Sequence, residues 1–387
     1  MVRLAMKTIA EINERIRNRK AVVVTAEEII DLVEEKGVKE AAREVDVVTT
    51  GTFGPMCSSG MFINFGHSKP GIKMTRTWLN DVPVFSGLAA VDAYVGATEL
   101  SERQGMQYGG AHVIQDFIDG KDIRLYAESY GTDCYPRRDI RTTVNKHNVN
   151  QAYLFNPRNC YQNYAAATNS SDRIMYTYMG TLLPNYGNVT YSTSGELSPL
   201  MNDPEYRTIG IGTRIFFGGT QGFVAWEGTQ HDPGQERLEN GTPVSAAGTL
   251  ALIGDAKKMS SRYIRAAVFD RYGVTMFVGV GIPIPILDED MLIKTAVRNR
   301  DIVTTLVDKS GRENPGIRLS YEALQSGWVE IKGKRVPTAP LSSLKMAREI
   351  AGVLKDWISN GQFLLSEPVE RLPYRKERLN SLEIRGE

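Results

Sequence analysis

The chain has 387 residues, room for two or three domains by length, and an ordinary apolar content that can supply a sizeable core. Its 46 basic and 45 acidic residues leave a formal charge of +1 with no Lys/Arg-rich arm, so nucleic acid is not expected as a partner, although a local basic pocket for a small anion is. Three cysteines without a CxxC pair exclude a disulfide framework, and the longest apolar run, GVTMFVGVGIPIPIL, is too short and proline-broken to cross a membrane.

The opening MVRLAMKTIAEINERIRNRK is interrupted by charges from the start and does not read as a signal peptide, so a cytoplasmic protein is expected. Leu4, Ile9, Ile12 and Ile16 fall on one face of an amphipathic helix. TAEEIIDLVEEKG predicts a second helix, with Thr25 and Glu28 as a capping box and Gly37 as the stop. VKEAAREV predicts a short third helix before the apolar run VDVVTTGTF, and the loop GPMCSSG follows with Cys57.

From about residue 80 to 285 the texture changes to dense glycine and aromatic residues with short apolar runs between turns. IRLYAESYG, RIMYTYMGTLL, VTYSTSG, RTIGIGTRIFFGGTQGFVAWEG, GTLALIGDAKKM and GVTMFVGVGIPIPI read as strands. DEDMLIKTAVRNR returns to helix and DIVTTLVD to strand. SSLKMAREIAGVLKDWISNG predicts the last helix, with Leu344, Ile350, Val353, Leu354 and Trp357 broadly on one side and Gly361 ending it. RLPYRKERLNSLEIRGE is a charged, loosely ordered tail. The expected fold is a mixed α/β body with a strand-rich, glycine-rich centre and helical N- and C-terminal segments. One domain over residues 1–365 is preferred, with a division near residue 285 as the alternative and 366–387 as tail. Strand order does not follow from the pattern.

The thiols are the chemically informative residues. A cysteine kept for packing sits among bulky apolar neighbours, whereas Cys57 lies among small residues in an open loop. Cations and backbone N–H groups favour the reactive thiolate. Cys134, in YGTDCYPRRD, precedes Arg137 and Arg138; Cys160, in FNPRNCYQNY, follows Arg158. Two readings result. In one, a cysteine carries a persulfide and a second exchanges with it. In the other, Cys57, Cys134 and Cys160 ligate a [4Fe–4S] cluster, leaving one iron open to hydrosulfide. His67 and Lys69 trail the Cys57 loop and are expected at the same pocket. Glu227 and His231, four apart in AWEGTQHDPG, suggest acyl or CoA transfer through a carboxylate nucleophile, against the plainer reading of a polar loop. His112 reads equally well as a packed histidine. Gly210, Gly212, Gly218, Gly219 and Gly222 lack a strand–GxGxxG–helix context and read as tight turns rather than a phosphate cradle. There is no GxSxG, P-loop or HExxH motif, and no nicotinamide or flavin signature.

Taken together, TTGTFGPMCSSGMFINFGH, AESYGTDCYPRR and GIGTRIFFGGTQGFVAWEGTQH resemble the homocysteine-biosynthesis, sulfur-incorporation family over most of the chain. The resemblance implies an L-aspartate semialdehyde sulfurtransferase of anaerobic microbes, notably methanogenic archaea, that makes homocysteine with sulfide-derived sulfur. It implies the persulfide at Cys134 in GTDCYPRR, with Cys57 exchanging sulfur or ligating a cluster. It also implies work beside a small ferredoxin-like protein with a NIL domain. Many members carry a C-terminal pair of CBS domains; here a short charged tail follows Leu365, and nucleotide control by such a module is not expected. Sulfur addition to an aldehyde gives a thiohemiacetal-like adduct, and reaching a thiol then needs electrons from outside. Arg137 and Arg138 are expected to hold the substrate carboxylate, since guanidinium grips carboxylate through two parallel hydrogen bonds. His67 is expected beside them. Homo-oligomerisation is left open, as is a non-catalytic, ligand-binding role.

Overall fold

Alternating apolar residues of the central segment assemble one large antiparallel sheet. The structure, a computed structural model, describes residues 7–374 and 378–384. In spatial order the nine-stranded sheet runs Ile264–Phe269, Gly273–Gly281, Arg214–Phe217, Thr220–Glu227, Leu250–Asp255, Gln151–Asn159, Gly60–Asn64 and Asp92–Gly96, with Thr52–Pro55 also pairing with Gly273–Gly281. The strand before the Cys57 loop and the strand after it therefore lie in one sheet. Gly218 and Gly219, both at positive φ, make the two-residue turn between Arg214–Phe217 and Thr220–Glu227, as the sequence predicts.

A six-stranded mixed sheet is built from segments far apart in sequence, in the order Arg318–Ser320, Val303–Asp308, Ala166–Thr168, Val189–Tyr191, Lys334–Pro340 and Trp328–Ile331. It has its own apolar cluster, in which Ala166, Val189 and Tyr191 meet Ile302, Leu306, Tyr321 and Val336. A four-stranded antiparallel sheet, Asp139–Val144, Ile123–Glu128, Arg76–Leu79 and Val82–Val84, carries Cys134 in the loop between its first two members. The fold is mixed α/β with helical ends.

The two ends of the chain meet. Ile9, Ile12 and Ile16 of helix Ile9–Arg17 pack with Ile350, Leu354 and Ile358 of helix Leu344–Ser359, and Val353 and Trp357 border the same cluster. Leu4 lies outside the described residues. Asn13 and Leu365 exchange two hydrogen bonds, of 2.9 and 2.8 Å. The buried Asp46 accepts from Arg15 at 2.8 Å and from the Val22 amide at 2.9 Å, tying the first helix to the sheets. Thr25 and Glu28 exchange the predicted capping bonds around helix Glu28–Lys36, and Gly37 closes it at φ 79°.

Two expectations change. RIMYTYMGTLL is a hairpin, Met175–Thr177 against Gly180–Leu182, rather than one strand, because Gly180 takes φ 82° and turns the chain beside Tyr178. The tail is partly tied down: Glu370–Arg371 pairs with Gly210–Ile211, Leu372 is buried, and Arg378 forms an ion pair with Asp232 at 2.8 Å. No helix among the described residues is long and apolar enough to cross a membrane.

The C-terminal helix rests directly on a glycine of the sequence before Cys57. A Cβ on Gly51 would lie 2.1 Å from the Ala347 carbonyl oxygen. Gly51→Ala must push the helix backbone away, and overpacking of this kind costs about 1–3 kcal/mol. Gly96→Ala, where a Cβ meets nothing within 4 Å, is the control. Urea titration should separate the two; equal midpoints would contradict the packing described.

Candidate active site

Cys57 sits in a turn whose own backbone fixes it. The Met56 amide donates to Met276 at 2.7 Å, and the Ser59 amide and hydroxyl both donate to the Met56 carbonyl, at 3.2 and 2.8 Å. Buried Asn156 braces the turn: its Nδ2 donates to Ser59 Oγ at 2.7 Å, while its Oδ1 accepts from Ser58 Oγ and from the Arg158 amide, the latter at 2.9 Å. The small residues of the loop are required by close approach. A Cβ on Gly60 would overlap the Tyr94 ring, and one on Gly54 would lie 2.4 Å from Ser342 Oγ. The sulfur itself is exposed.

The thiol opens onto a recess of about 530 Å³, counting its solvent mouth. Around it stand Arg158, Tyr161, Tyr164, Tyr178 and Tyr272, with Met56, Ser192 and Leu341 closing the apolar side. Arg158 is steered there by a bulge between Asn156 and Asn159, and its Nε donates to Thr229 Oγ1 at 3.0 Å. Burial raises the phenols of Tyr161 and Tyr164, and raises Tyr272 with the charge of Cys57 as a second cause. Tyr178 behaves otherwise. Burial alone would raise it, but hydrogen bonds from Lys309 Nζ at 2.6 Å and Tyr164 Oη at 3.2 Å outweigh that and hold it below the ordinary tyrosine value.

Lys309 is held by its neighbours. Its amide donates to Thr168 at 2.9 Å at the end of strand Val303–Asp308. Next to it the Asp308 carboxylate accepts from the Ser170 amide and hydroxyl at 3.0 and 2.6 Å and from the Ser310 amide at 3.0 Å. Burial opposes ionisation of Asp308, but these bonds prevail and leave its carboxyl well below the usual range.

The three thiols do not gather. Cys160 is buried and lines a smaller space behind the recess, sharing the walls Met56, Tyr161 and Ser192 with it. Burial pushes its thiol upward, away from thiolate. Cys134 is exposed on its own loop, 3.5 Å from Thr132 Oγ1, and lines neither space. Among the described residues no three His, Cys, Asp or Glu side chains come together to hold a metal. The expected [4Fe–4S] ligand set of Cys57, Cys134 and Cys160 therefore does not fit: one member is buried and the exposed two belong to different sheets.

The other expected site residues collect around Cys134 rather than Cys57. His67 stacks on Tyr135 at 5.7 Å between ring centroids and 13° between planes. The expectation that it shares the Cys57 pocket is corrected, because the chain leaves the sheet after Asn64 and runs back along the 131–137 loop. Arg137 bridges to Ile72, and its fork is occupied by main-chain oxygens, Nε to Pro70 and a terminal nitrogen to Lys69, both at 3.1 Å. Arg138 is exposed, with its stem against Gly131. Glu227 ends its strand opposite Leu250 and lines neither space. His231 is buried, its Nδ1 accepting from the Thr249 amide and its Nε2 lying 3.1 Å from the Pro373 carbonyl oxygen, which is a structural placement. His112 is likewise packed, accepting from the Gly109 amide and stacking on Tyr108.

Sequence reading noted Arg158 only as a neighbour of Cys160, and passed over Tyr161, Tyr164, Tyr178, Tyr272 and Lys309. The tyrosine spacing in RNCYQNY and MYTYMG was the available signal.

A presented thiol, a guanidinium and a polarised phenol on one recess have the makings of a cysteine-centred enzyme site for a small anionic molecule. The chain belongs to a known enzyme family: residues 21–365 match the model of the homocysteine biosynthesis enzyme, sulfur-incorporation family. It is 55% identical over 369 residues to an L-aspartate semialdehyde sulfurtransferase of Methanosarcina acetivorans, covering 95% of this chain and 72% of that protein. It is 53% identical to one of Methanocaldococcus jannaschii, covering 95% of this chain and 74% of that protein. An uncharacterized protein of Methanothermobacter thermautotrophicus is 30% identical over 332 residues. No solved structure matches the chain.

Proposed function

We propose that this protein is an L-aspartate semialdehyde sulfurtransferase of homocysteine biosynthesis and that it works at the Cys57 recess. The observation that carries the reading is the meeting of an exposed thiol with Arg158 at one mouth, in a chain so similar to sulfurtransferases. Arg158 holds the substrate carboxylate by charge-assisted hydrogen bonds. The aldehyde carbon then faces sulfur brought on Cys57. Cys134, on its exposed loop, is the carrier: its thiolate takes the outer sulfur of a persulfide or polysulfide donor, which leaves as a thiol or shorter polysulfide, and passes it to Cys57 by thiol exchange, whereas free sulfide adds to the aldehyde at the recess directly. A separate loading thiol suits a sulfur source too large for the recess.

Starting from sulfide, aldehyde plus hydrogen sulfide, two protons and two electrons gives the thiol and water. Sulfur delivered from a persulfide takes two further electrons and two further protons, which return the carrier cysteine to its thiol. The electrons come from outside the chain, and a small ferredoxin-like protein with a NIL domain is the proposed donor.

The test is anaerobic: purified protein, aspartate semialdehyde and either sulfide or a persulfide donor, with a low-potential reductant, and with or without the ferredoxin-like partner. Homocysteine should form and should depend on the electron source. No product under any combination would sink the reading, and equal turnover without added electrons would remove the external donor.

A further inference from the structure

Tyr178 stands at the tip of a hairpin, and its hydroxyl oxygen has an unusual set of neighbours. It accepts from Lys309 Nζ at 2.6 Å and from Tyr164 Oη at 3.2 Å. A phenol oxygen has two acceptor positions, and both are filled. Its own O–H is therefore left to donate elsewhere, and Tyr178 is on the wall of the recess that Cys57 enters. Lys309 Nζ also lies 4.7 Å from the centre of the Tyr178 ring. A cation and a second donor held on one phenol stabilise the phenolate that remains after proton loss. Asp308, anchored by Ser170 and Ser310, fixes the segment from which Lys309 reaches over.

We infer that Tyr178 is the proton donor to the aldehyde oxygen when sulfur adds at the recess, with Lys309 and Tyr164 as its positioning residues. The inference rests on the Cys57 recess being the place of addition. The step balances. The attacking sulfur forms the C–S bond, the carbonyl π pair moves to oxygen, that oxygen takes the Tyr178 proton, and the phenolate left behind is held by Lys309 and Tyr164 until solvent reprotonates it. Tyr161 meets the Arg158 guanidinium at the same space, but burial outweighs it and keeps that phenol above the ordinary value; Tyr272 is raised by burial and by the charge of Cys57; and the half-buried Tyr164 spends its hydroxyl on Tyr178.

Tyr178→Phe keeps the ring and removes the proton. Its turnover should fall about 100-fold or more, within the range for loss of a general acid, with the KM for the semialdehyde little changed. The acid must be protonated to act, so activity declines as pH rises through the Tyr178 pKa. Lys309→Met removes the cation that lowers this pKa, and the alkaline limb should move to higher pH while the plateau drops. A lysine with only a structural role would lower the plateau without moving the limb. Ultraviolet titration of tyrosinate gives a readout independent of turnover. Wild type should show an ionisation below the ordinary tyrosine value of about 10 that is missing in Tyr178→Phe and displaced upward in Lys309→Met. Near-normal turnover of Tyr178→Phe beside an inactive Cys57→Ser would overturn the acid while leaving the recess intact. Near-normal turnover of both would overturn the recess and the acid together. A Tyr178 ionisation at or above 10 would also overturn the proposal, whatever the turnover.

Discussion

Cys57→Ser should fold as the wild type does and lose sulfur transfer by about three to six orders of magnitude, the scale seen when an essential nucleophile is removed. Folding survives because backbone bonds to Met276 and the Asn156 brace hold the turn, and the sulfur points to solvent. Chemistry is lost because a serine hydroxyl neither forms a persulfide nor ionises near neutral pH. Cys134→Ser should be similarly impaired with a persulfide donor too large for the recess as source, and a small persulfide supplied directly to Cys57 should restore part of its turnover. Cys160→Ala is the internal control. Its thiol is buried and held toward the neutral form, so activity should stay near normal while stability drops slightly. Anaerobic homocysteine formation, after circular dichroism confirms the fold of each variant, decides the matter. A Cys57→Ser variant with ordinary turnover would remove the proposed site.

The second large effect is expected at Arg158. Hydrogen bonds to a charged group contribute about 1.5–3 kcal/mol, so Arg158→Ala should cost roughly 10- to 150-fold in kcat/KM for the semialdehyde, chiefly through KM. Arg158→Lys keeps the charge but not the fork and should fall between. Arg137→Ala should change KM little, because its guanidinium is spent on the Lys69 and Pro70 carbonyls and its loss loosens the Cys134 loop instead. Steady-state kinetics across the series would reveal the opposite pattern, a large KM effect at Arg137 and none at Arg158, if the carboxylate is bound beside Cys134.

Much of the scaffold could be read before the fold was known. Ile9, Ile12 and Ile16, and Ile350 with Leu354, are spaced for one helical face, and local periodicity is enough to find such faces. Local pattern also carried the strands Val303–Asp308 and Leu250–Asp255. It failed at Met175–Leu182, where one glycine at positive φ converts an apolar run into a hairpin and delivers Tyr178 to the recess. It failed again at Arg158 and Cys160. In a regular strand residues two apart share a face, but the bulge after Asn156 and the φ of 49° at Cys160 break that alternation. The guanidinium then reaches the recess and the thiol is buried behind it. The exposure of Cys57 was legible because its neighbours are small. Its separation from Cys134 was not, since it depends on which strands pair across the whole chain.

The recess walls come from both ends of the sequence: Cys57 near the start, Tyr161 and Tyr178 in the middle, Tyr272, and finally Leu341. A ribosome emitting this chain presents the thiol early and its last wall some 280 residues later, which at about 5–20 residues per second is a delay of tens of seconds. For about the first 100 residues of that interval Cys57 is a bare sulfhydryl on a half-made protein, before Arg158 and then the tyrosines have been added. The chain thus carries its thiol long before the groups that surround it, and the recess is complete only once nearly the whole sequence has been made.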